Sequence, residues 1–315
     1  MITSPLCSLL GIELPIFQGG MAWISDAALA AAVSNAGGLG IIAGGTASAA
    51  YVREQIKKAK TLTNKPFGVN IMLMSPHADE LAQVIAEESV PIVTTGAGNP
   101  LKHMELWTEA GVKVIPVVAS VAVAKMMARS GAIALVAEGG ESGGHVGDLS
   151  TMALVPQICD AVGLPVIAAG GIGDGRGIAA AFMLGALGVQ VGTRFLVAKE
   201  CAIHQKYKDK VLKAKDIDTI STGKRLGHPV RSLKTPFSRE FYKKEYDMTV
   251  SNEELEELGV GALQRAVKDG DEKNGCFLAG QISGLVKIEQ TAHEIIQEMF
   301  IEAEECLKGA VRWVK

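Results

Sequence analysis

Residues 165–175 read Pro-Val-Ile-Ala-Ala-Gly-Gly-Ile-Gly-Asp-Gly, a short apolar run that ends in a cluster of glycines. An apolar run of this length without polar alternation is typical of a strand that is buried on both faces of a parallel sheet. Runs of the same kind recur along the chain. The eight predicted strands are Pro15–Gln18, Leu39–Ala43, Phe67–Leu73, Pro91–Thr95, Lys113–Val118, Ala132–Ala137, Pro165–Ala169 and Val189–Phe195.

The segments between these strands have the apolar spacing of amphipathic helices, clearest at Asp26–Ala36, Ser48–Thr61, His77–Glu88 and Val121–Ser130. Eight strands that alternate with helices form either a closed barrel or an open doubly wound sheet. Glycine and polar residues follow nearly every strand at its carboxyl end, and a barrel collects its active site at that face. We therefore predict an α/β fold, a (β/α)8 TIM barrel, and keep the open sheet as the alternative.

The sequence pattern changes after Phe195. Residues 196–250 are rich in Lys and Arg and contain few apolar runs, whereas Asn252–Asp269 and Glu289–Leu307 have the spacing of amphipathic helices. We predict two parts, a barrel over residues 1–195 and a helical extension over residues 196–315 that covers the barrel or docks on it. The extension is a candidate substrate-binding region.

The composition of the 315 residues is that of a globular protein, with 48% hydrophobic residues and a net charge of −3. Such a charge gives no reason to expect a nucleic-acid partner. The five cysteines are widely spaced, so we expect a reduced protein without a bound metal. The N-terminus lacks a signal-peptide pattern, and the longest apolar stretch is shorter than a membrane span, so we expect a cytoplasmic protein with no membrane partner.

Two neighbouring loops have the features of a phosphate site. Gly170, Gly171 and Gly173 follow the seventh predicted strand and open a helix, and Gly192-Thr193 follows the eighth. Barrels often bind phosphate with these two loops, because glycines let the backbone approach closely and backbone N–H groups at a helix N-terminus attract an anion. The alternative is that the glycines only make tight turns.

The loop after the sixth strand, residues 138–147, places His145 among glycines at the same face of the barrel. A histidine suits proton transfer near neutral pH, although it could instead make only a local hydrogen bond. Residues 140–144 also match the G-x-S-x-G motif of serine hydrolases around Ser142. That motif requires a strand, a sharp turn at the serine and an immediate helix, and here helix-like sequence begins only near Ser150, so we keep the hydrolase as a minor alternative.

Several polar residues have two interpretations. Asn70, Gln18 and Gln190 lie in predicted strands, where a side-chain amide either meets a ligand or satisfies neighbouring backbone. The remaining histidines are interpreted as surface positions: His77, His103, His204, His228 and His293. A basic stretch follows the barrel and is either a solvated surface or a docking site for an acidic partner. Its members are Lys199, Lys206, Lys208, Lys210, Lys213, Lys215, Lys224, Arg225, Arg231 and Lys234.

Taken together, these motifs resemble the nitronate monooxygenase and enoyl-acyl carrier protein reductase II superfamily. The resemblance runs from about residue 8 to residue 310. The segments that carry it are Pro15–Trp23, Gly68–Met72, Thr94–Pro100, Gly143–His145, Ala169–Ile172, Gln190–Phe195 and Gly280-Gln281. The start at Gln18–Trp23, the Thr94–Pro100 loop and Glu138 are closer to the reductases, because nitronate monooxygenases tend to carry Gln at the position of Glu138.

The resemblance implies FMN bound at the carboxyl face of the barrel, with His145 beside the reacting centre. It implies that the flavin is surrounded by Gly20, Met21, Ala22, Asn70, Glu138, Gly143, Gly170, Gly171, Gln190, Gly192 and Thr193. It further implies a homodimer, NADH or NADPH as hydride donor, acyl carrier protein as partner and, in some members, activation by a monovalent cation.

The activity that the resemblance implies is reduction of a trans-2-enoyl thioester in bacterial type II fatty-acid synthesis. We expect ping-pong kinetics, in which the nicotinamide donor leaves before the enoyl thioester binds. In this scheme His145 donates a proton or a hydrogen bond to the charge that develops on the thioester oxygen. The alternative is a nitronate monooxygenase, which would oxidise alkyl nitronates with O2 and FMN.

Overall fold

The computed structural model describes residues 2–314, and its main body is a barrel of eight parallel strands. The sheet runs in the order β1-β9-β8-β6-β5-β4-β3-β2, and a parallel bridge between Phe17 and Leu39 closes it. The barrel strands are β1 (Ile16–Gln18), β2 (Gly40–Gly45), β3 (Phe67–Met72), β4 (Ile92–Gly96), β5 (Lys113–Val118), β6 (Leu135–Glu138), β8 (Val166–Ala169) and β9 (Gly188–Val191). The predicted barrel is confirmed, and the open sheet is excluded.

Helices alternate with the strands and surround the barrel. They are α1 (Pro5–Leu10), α2 (Ala27–Asn35), α3 (Ala49–Leu62), α4 (Ala78–Glu87), α5 (Leu101–Glu109), α6 (Val121–Arg129), α7 (Thr151–Ala161) and α8 (Gly175–Met183). Side-chain oxygens of Asp26, Ser48 and Ser120 accept backbone N–H groups at the starts of α2, α3 and α6. These caps satisfy donors that a helix cannot pair internally, which is why the helices begin where the sequence predicts.

The barrel interior is filled by apolar side chains. Phe17, Ile41 and Ile115 share one buried cluster with Leu6 and Leu10 of α1. Because β1 begins only a few residues after α1, this short helix closes the amino-terminal end of the barrel. The opposite, carboxyl end is left as the open mouth.

The eighth predicted strand is shorter than the sequence suggests. β9 ends at Val191, and Thr193–Val197 forms a 3-10 helix instead of continuing the strand. Gly192 has φ −113° and ψ −68°, which turns the chain out of the extended conformation at that residue. The predicted strand Val189–Phe195 is therefore wrong in its second half.

The chain after Val197 contributes both helices and strands. The helices are α9 (Gln205–Lys213), α10 (Pro236–Glu245), α11 (Asn252–Gly259), α12 (Ala262–Gln264) and α13 (Ala292–Gly309). The strands β10 (Thr219–Thr222) and β11 (Val230–Leu233) form a hairpin that pairs with β7 (Gly144–His145), a short strand in the loop after β6. The sequence analysis did not predict this small sheet.

The predicted helix Asn252–Asp269 is broken. Gly261 adopts φ +69°, separating α11 from α12, and Arg265–Asp269 forms a turn of π-helix. The last helix, α13, begins at a capping box formed by Thr291 and Glu294.

Helix α13 packs against α8 and α2, so it completes the ring of helices around the barrel. Its residues Ile295 and Met299 belong to the same buried cluster as Leu154 and Val166 of the barrel. The proposed division at residue 195 stays a prediction. Within residues 2–314, no helix combines the length and apolarity needed to cross a bilayer.

Candidate active site

Gln18, at the carboxyl end of β1, is fully buried and uses its side-chain amide within the protein. Its Nε2 donates to Ser25 Oγ at 2.8 Å, and its Oε1 accepts from the backbone N–H of Ile41 at 3.2 Å. The geometry therefore favours the interpretation in which the Gln18 amide bonds neighbouring protein groups and not a ligand. Gln18 braces the start of the loop that follows β1.

That loop carries Gly20, Met21 and Ala22 across the mouth. A Cβ atom added at Gly20 would lie 2.4 Å from Cβ of Asn70, and one added at Gly192 would lie 3.6 Å from Sδ of Met21. The loop thus spans the distance between the ends of β3 and β9. Only glycine fits at position 20, because the side chain of Asn70 occupies the space beside it.

Asn70 and Gln190 are the two strand amides that keep free hydrogen-bonding capacity. Asn70 Oδ1 accepts from Thr94 Oγ1 at 3.0 Å, whereas its Nδ2 donates to no acceptor among residues 2–314. Gln190, on β9, is only 8% exposed, and its side chain has no hydrogen-bond partner in the same part of the chain. A buried amide such as that of Gln190 is normally paired, and Asn70 is half-buried, so both amides are available to a ligand at the mouth.

Glu138 ends β6 and is half-buried at the same face. Desolvation raises the pKa of its carboxyl to about 7, and a hydrogen bond from Ser142 Oγ at 3.2 Å opposes part of that rise. Near neutral pH this carboxyl is therefore present in both its protonated and its ionised form. It can donate or accept a hydrogen bond.

His145 lies on β7, where the pairing of Gly144 and His145 with β11 fixes its backbone. Its side chain is exposed at the mouth and has no hydrogen-bond partner among the described residues. Desolvation by the surrounding protein lowers the pKa of its imidazole, and the like charge of nearby His228 lowers it further. The local hydrogen bond that would have made this a purely structural histidine is not present.

Ser142 does not have the surroundings of a hydrolase nucleophile. Its hydroxyl donates to the carboxylate of Glu138, and the chain continues through a turn into β7, with helix α7 starting only at Thr151. No strand–turn–helix elbow is formed. The serine hydrolase alternative is therefore not supported by the geometry.

Gly143 is a packing position. A Cβ atom there would lie 2.7 Å from the carbonyl carbon of Ala279. Gly280, which follows Ala279, donates its N–H to Thr193 Oγ1 at 2.9 Å, and the N–H of Gln281 donates to the carbonyl of Glu141 at 2.9 Å. The segment Gly280-Gln281 thus ties the loop after β6 to the loop after β9.

The loops after β8 and β9 differ in one respect from the phosphate site that the sequence predicts. The N-terminus of α8 is already occupied: Asp174 caps it, and Glu302 Oε2 accepts from the N–H of Gly175 at 2.7 Å. Two carboxylates at this position would repel an anion. The free donors lie instead in the loops, where the N–H groups of Gly171 and Gly192 have no acceptor among residues 2–314.

Gly170 and Gly171 have φ angles of +90° and +73°. This left-handed region favours glycine and explains why the sequence has a pair of glycines directly after the strand. A side chain at Gly171 would also come within 3.3 Å of Cβ of Glu141.

The structure corrects the surface interpretation of one histidine, His103, and gives another, His228, a place beside the candidate site. His103 is buried, because it lies on the inward face of α5 beside Trp107, with the ring centroids 5.3 Å apart and the ring planes tilted by 43°. His228 is exposed, but it lies at the mouth with its ring centroid 6.3 Å from that of His145. The only sequence signal for His228 was its position between Gly227 and Pro229 in a turn-forming segment.

Much of the basic stretch is engaged within the protein. Lys208 is buried and pairs with Glu289 at 2.8 Å, and Arg231 donates to the carbonyl of Gly140 at 3.0 Å. Arg225 donates to three backbone carbonyls. The exposed members without a salt bridge in residues 2–314 are Lys206, Lys213, Lys215, Lys224 and Lys234.

Comparison with known proteins places the chain in a family. The sequence matches the nitronate monooxygenase family over residues 3–89 and 78–302. The chain belongs to the nitronate monooxygenase family. It is therefore an oxidoreductase of a family of flavin enzymes.

Individual relatives cover most or all of the chain. FabK from Thermotoga maritima superposes with a TM-score of 0.97 at 48% identity and covers 100% of both chains. A probable nitronate monooxygenase from Staphylococcus saprophyticus is 30% identical over 97% of this chain and 99% of that protein. A (3aS,4S,5R,7aS)-5-hydroxy-7a-methyl-1-oxo-octahydro-1H-indene-4-carboxyl-CoA dehydrogenase from Mycobacterium tuberculosis is 40% identical over 74% of this chain and 67% of the relative.

Proposed function

We propose that the protein reduces trans-2-enoyl thioesters carried on acyl carrier protein, with FMN as its cofactor and NADH or NADPH as hydride donor, in bacterial type II fatty-acid synthesis. The observation that carries this proposal is the full-length similarity to FabK, an enoyl-acyl carrier protein reductase II. The name of the Mycobacterium tuberculosis relative, a carboxyl-CoA dehydrogenase, also describes a thioester substrate. A homodimer, a cytoplasmic location and activation by a monovalent cation belong to the same proposal.

The residues at the mouth fit a flavin mononucleotide. Asn70 Nδ2 and the amide of Gln190 are unpaired groups that the ring could bond, and the free N–H groups of Gly171 and Gly192 are donors for a phosphate. We infer that the cofactor is held by Gly20, Met21, Ala22, Asn70, Glu138, Gly143, Gly170, Gly171, Gln190, Gly192 and Thr193. FMN, when bound, supplies the two-electron chemistry between the nicotinamide and the substrate double bond.

The overall reaction converts an enoyl thioester, NAD(P)H and one proton to a saturated acyl thioester and NAD(P)+. Hydride addition at Cβ moves negative charge onto the thioester oxygen, and protonation at Cα completes the reduction. His145 is exposed at the mouth without a protein partner, so its imidazole can bind the charged oxygen. Such stabilisation by a general acid or a hydrogen-bond donor contributes about 10²–10⁴-fold in rate.

An anaerobic experiment tests the proposal. NADH or NADPH is added to the purified protein until the flavin absorbance bleaches, and crotonyl thioester is then added. Return of the oxidised spectrum without oxygen supports enoyl reduction, and the His145→Ala variant is expected to slow that return but not the bleaching. If the flavin stays bleached with the thioester, the reductase proposal is wrong.

A nitronate monooxygenase is the second candidate, because the family match and the Staphylococcus saprophyticus relative both favour it. The same preparation distinguishes the two. Reoxidation that requires both an alkyl nitronate and O2, with no response to crotonyl thioester, would replace the reductase by the monooxygenase.

The carrier protein is acidic, so the exposed lysines of the basic stretch are its candidate contacts. Reversal of Lys213 and Lys224 to Glu is expected to raise KM for a carrier-bound substrate about tenfold and to leave KM for a pantetheine thioester unchanged. The matched control reverses Lys58 and Lys125, which are exposed on barrel helices outside the stretch. Equal effects on both substrates, or from both pairs of variants, would contradict docking at this surface.

A further inference from the structure

His145 and His228 are neighbours at the mouth of the barrel. Their ring centroids are 6.3 Å apart and the ring planes meet at 62°. Both side chains are exposed, and neither makes a hydrogen bond to any of residues 2–314. Two imidazoles without partners among residues 2–314 thus lie together at the mouth.

The loop that carries His228 is hydrogen-bonded to the end of α10 and to the residues after it. The buried carboxylate of Glu245 accepts from the backbone N–H of Gly223 at 3.1 Å and of Arg225 at 2.9 Å. The guanidinium of Arg225 also donates to the carbonyls of Asp247 and Val250. These hydrogen bonds anchor the residues that precede His228.

The backbone links the two histidines directly. Val146 donates its N–H to the carbonyl of Pro229 at 3.0 Å, and His145 pairs with Val230 between β7 and β11. The residues that follow each histidine are therefore joined by the sheet. Side chains alternate along a strand, so Arg231 points to the face opposite that of His145 and does not lie between the rings.

The separation of the rings is informative. Two imidazoles joined by a direct N–H to N hydrogen bond have centroids about 5 Å apart, so the 6.3 Å separation leaves space for an oxygen atom that accepts from both rings. Burial lowers the pKa of the His145 imidazole, and the neighbouring His228 lowers it further, which favours the neutral form of His145. One neutral and one charged imidazole can still each present an N–H donor.

We propose that His228 is a second hydrogen-bond donor to the thioester carbonyl oxygen and forms an oxyanion site together with His145. This inference rests on the proposed enoyl reduction and adds to it a residue from the β10–β11 hairpin. The site would stabilise the enolate charge from two sides, which a single exposed histidine cannot do. It would also orient the thioester across the mouth.

The test compares His228→Ala and His228→Gln with wild type, using the holoenzyme and crotonyl thioester. His228→Ala is expected to lower kcat about 10–100-fold with little change in KM, and His228→Gln, which keeps a donor, is expected to lose less. Flavin bleaching by the nicotinamide donor is expected to be unchanged in both. His293→Gln, at an exposed position on α13, is the matched control and is expected to match wild type.

An NMR titration of the histidine ring protons provides a readout that does not depend on turnover. Removal of a neighbouring positive charge raises a pKa, so the pKa of His145 is expected to rise in His228→Ala and to stay unchanged in His293→Gln. Wild-type kcat in both His228 variants, or an unchanged pKa of His145, would overturn the inference. Failure of wild type to reduce the thioester, with the pKa coupling intact, would instead locate the error in the proposed function.

Discussion

The wall of the barrel and its mouth are built by opposite rules. In the wall, strands and helices meet through apolar contacts so close that Gly40 of β2 lies against the backbone of α2. At the mouth, Asn70, Gln190 and His145 keep hydrogen-bonding groups that no part of residues 2–314 satisfies. Close packing stabilises the fold, whereas unsatisfied polar groups cost stability and are retained where a ligand completes them.

Substitution of Gly40 is expected to have the largest effect, and it acts through the wall. A Cβ atom there would lie 1.8 Å from the carbonyl oxygen of Ala30, a backbone atom that cannot turn aside. Gly40→Ala is expected to cost at least about 3 kcal/mol in the free energy of unfolding, measured by urea titration. Gly163→Ala, where a Cβ would meet nothing within 4 Å, is the control. Similar stability of the two variants would show that the wall is not tightly packed there.

Substitution of Asn70 tests the mouth. Asn70→Ala removes the unpaired Nδ2 donor and the acceptor of Thr94, so the Kd for FMN is expected to rise about 10–100-fold. The free energy of unfolding of the flavin-free protein is expected to change by only about 1 kcal/mol. Flavin affinity is measured by fluorescence quenching, with the exposed Asn64→Ala as control. An unchanged Kd would remove Asn70 from the cofactor site.

Substitution of Glu138 is expected to have the smallest effect on stability, and that effect depends on pH. Because its folded-state pKa is about 7 and its ordinary value is 4.5, the folded state binds this proton more tightly than the unfolded chain. Stability therefore falls as pH rises from 4.5 through about 7. The shift corresponds to roughly 3 kcal/mol, which partial water access reduces to about 1–2 kcal/mol.

The Glu138→Gln variant should lack this part of the pH dependence. Urea unfolding of both flavin-free proteins across that pH range measures the difference. Parallel stability curves for wild type and variant would mean that the carboxyl titrates normally.

The same contrast explains what the sequence predicts well. Buried parallel strands are continuous apolar runs, and all eight appear in the structure within a few residues of their predicted positions, apart from the second half of Val189–Phe195. Glycines follow the strands that end at Ala169 and Val191, because the backbone there adopts left-handed or turned conformations that glycine tolerates. This preference is local, so the sequence itself shows where the strands end. The sequence therefore predicts the barrel and the face that carries the candidate site.

Features that depend on distant parts of the chain are not predictable in this way. The pairing of His145 with Val230 and the capping of α8 by Glu302 join residues far apart in sequence. The spacing of apolar residues in the sequence does not indicate that His228 lies near His145. It also does not indicate that a carboxylate occupies the N-terminus of α8, the expected anion site. These contacts follow from the folded topology, and the sequence pattern alone contains no sign of them.

The position of α13 has a consequence for how the chain acquires its structure. The last barrel strand ends at Val191, but the helix that covers α8 and α2 begins only at Ala292. During synthesis the apolar faces of α2 and α8 are therefore buried only after residues made much later have emerged. Long-range contacts of this kind form slowly. Until α13 has been synthesised, these apolar faces stay exposed to solvent, and exposed apolar surface of this kind promotes aggregation.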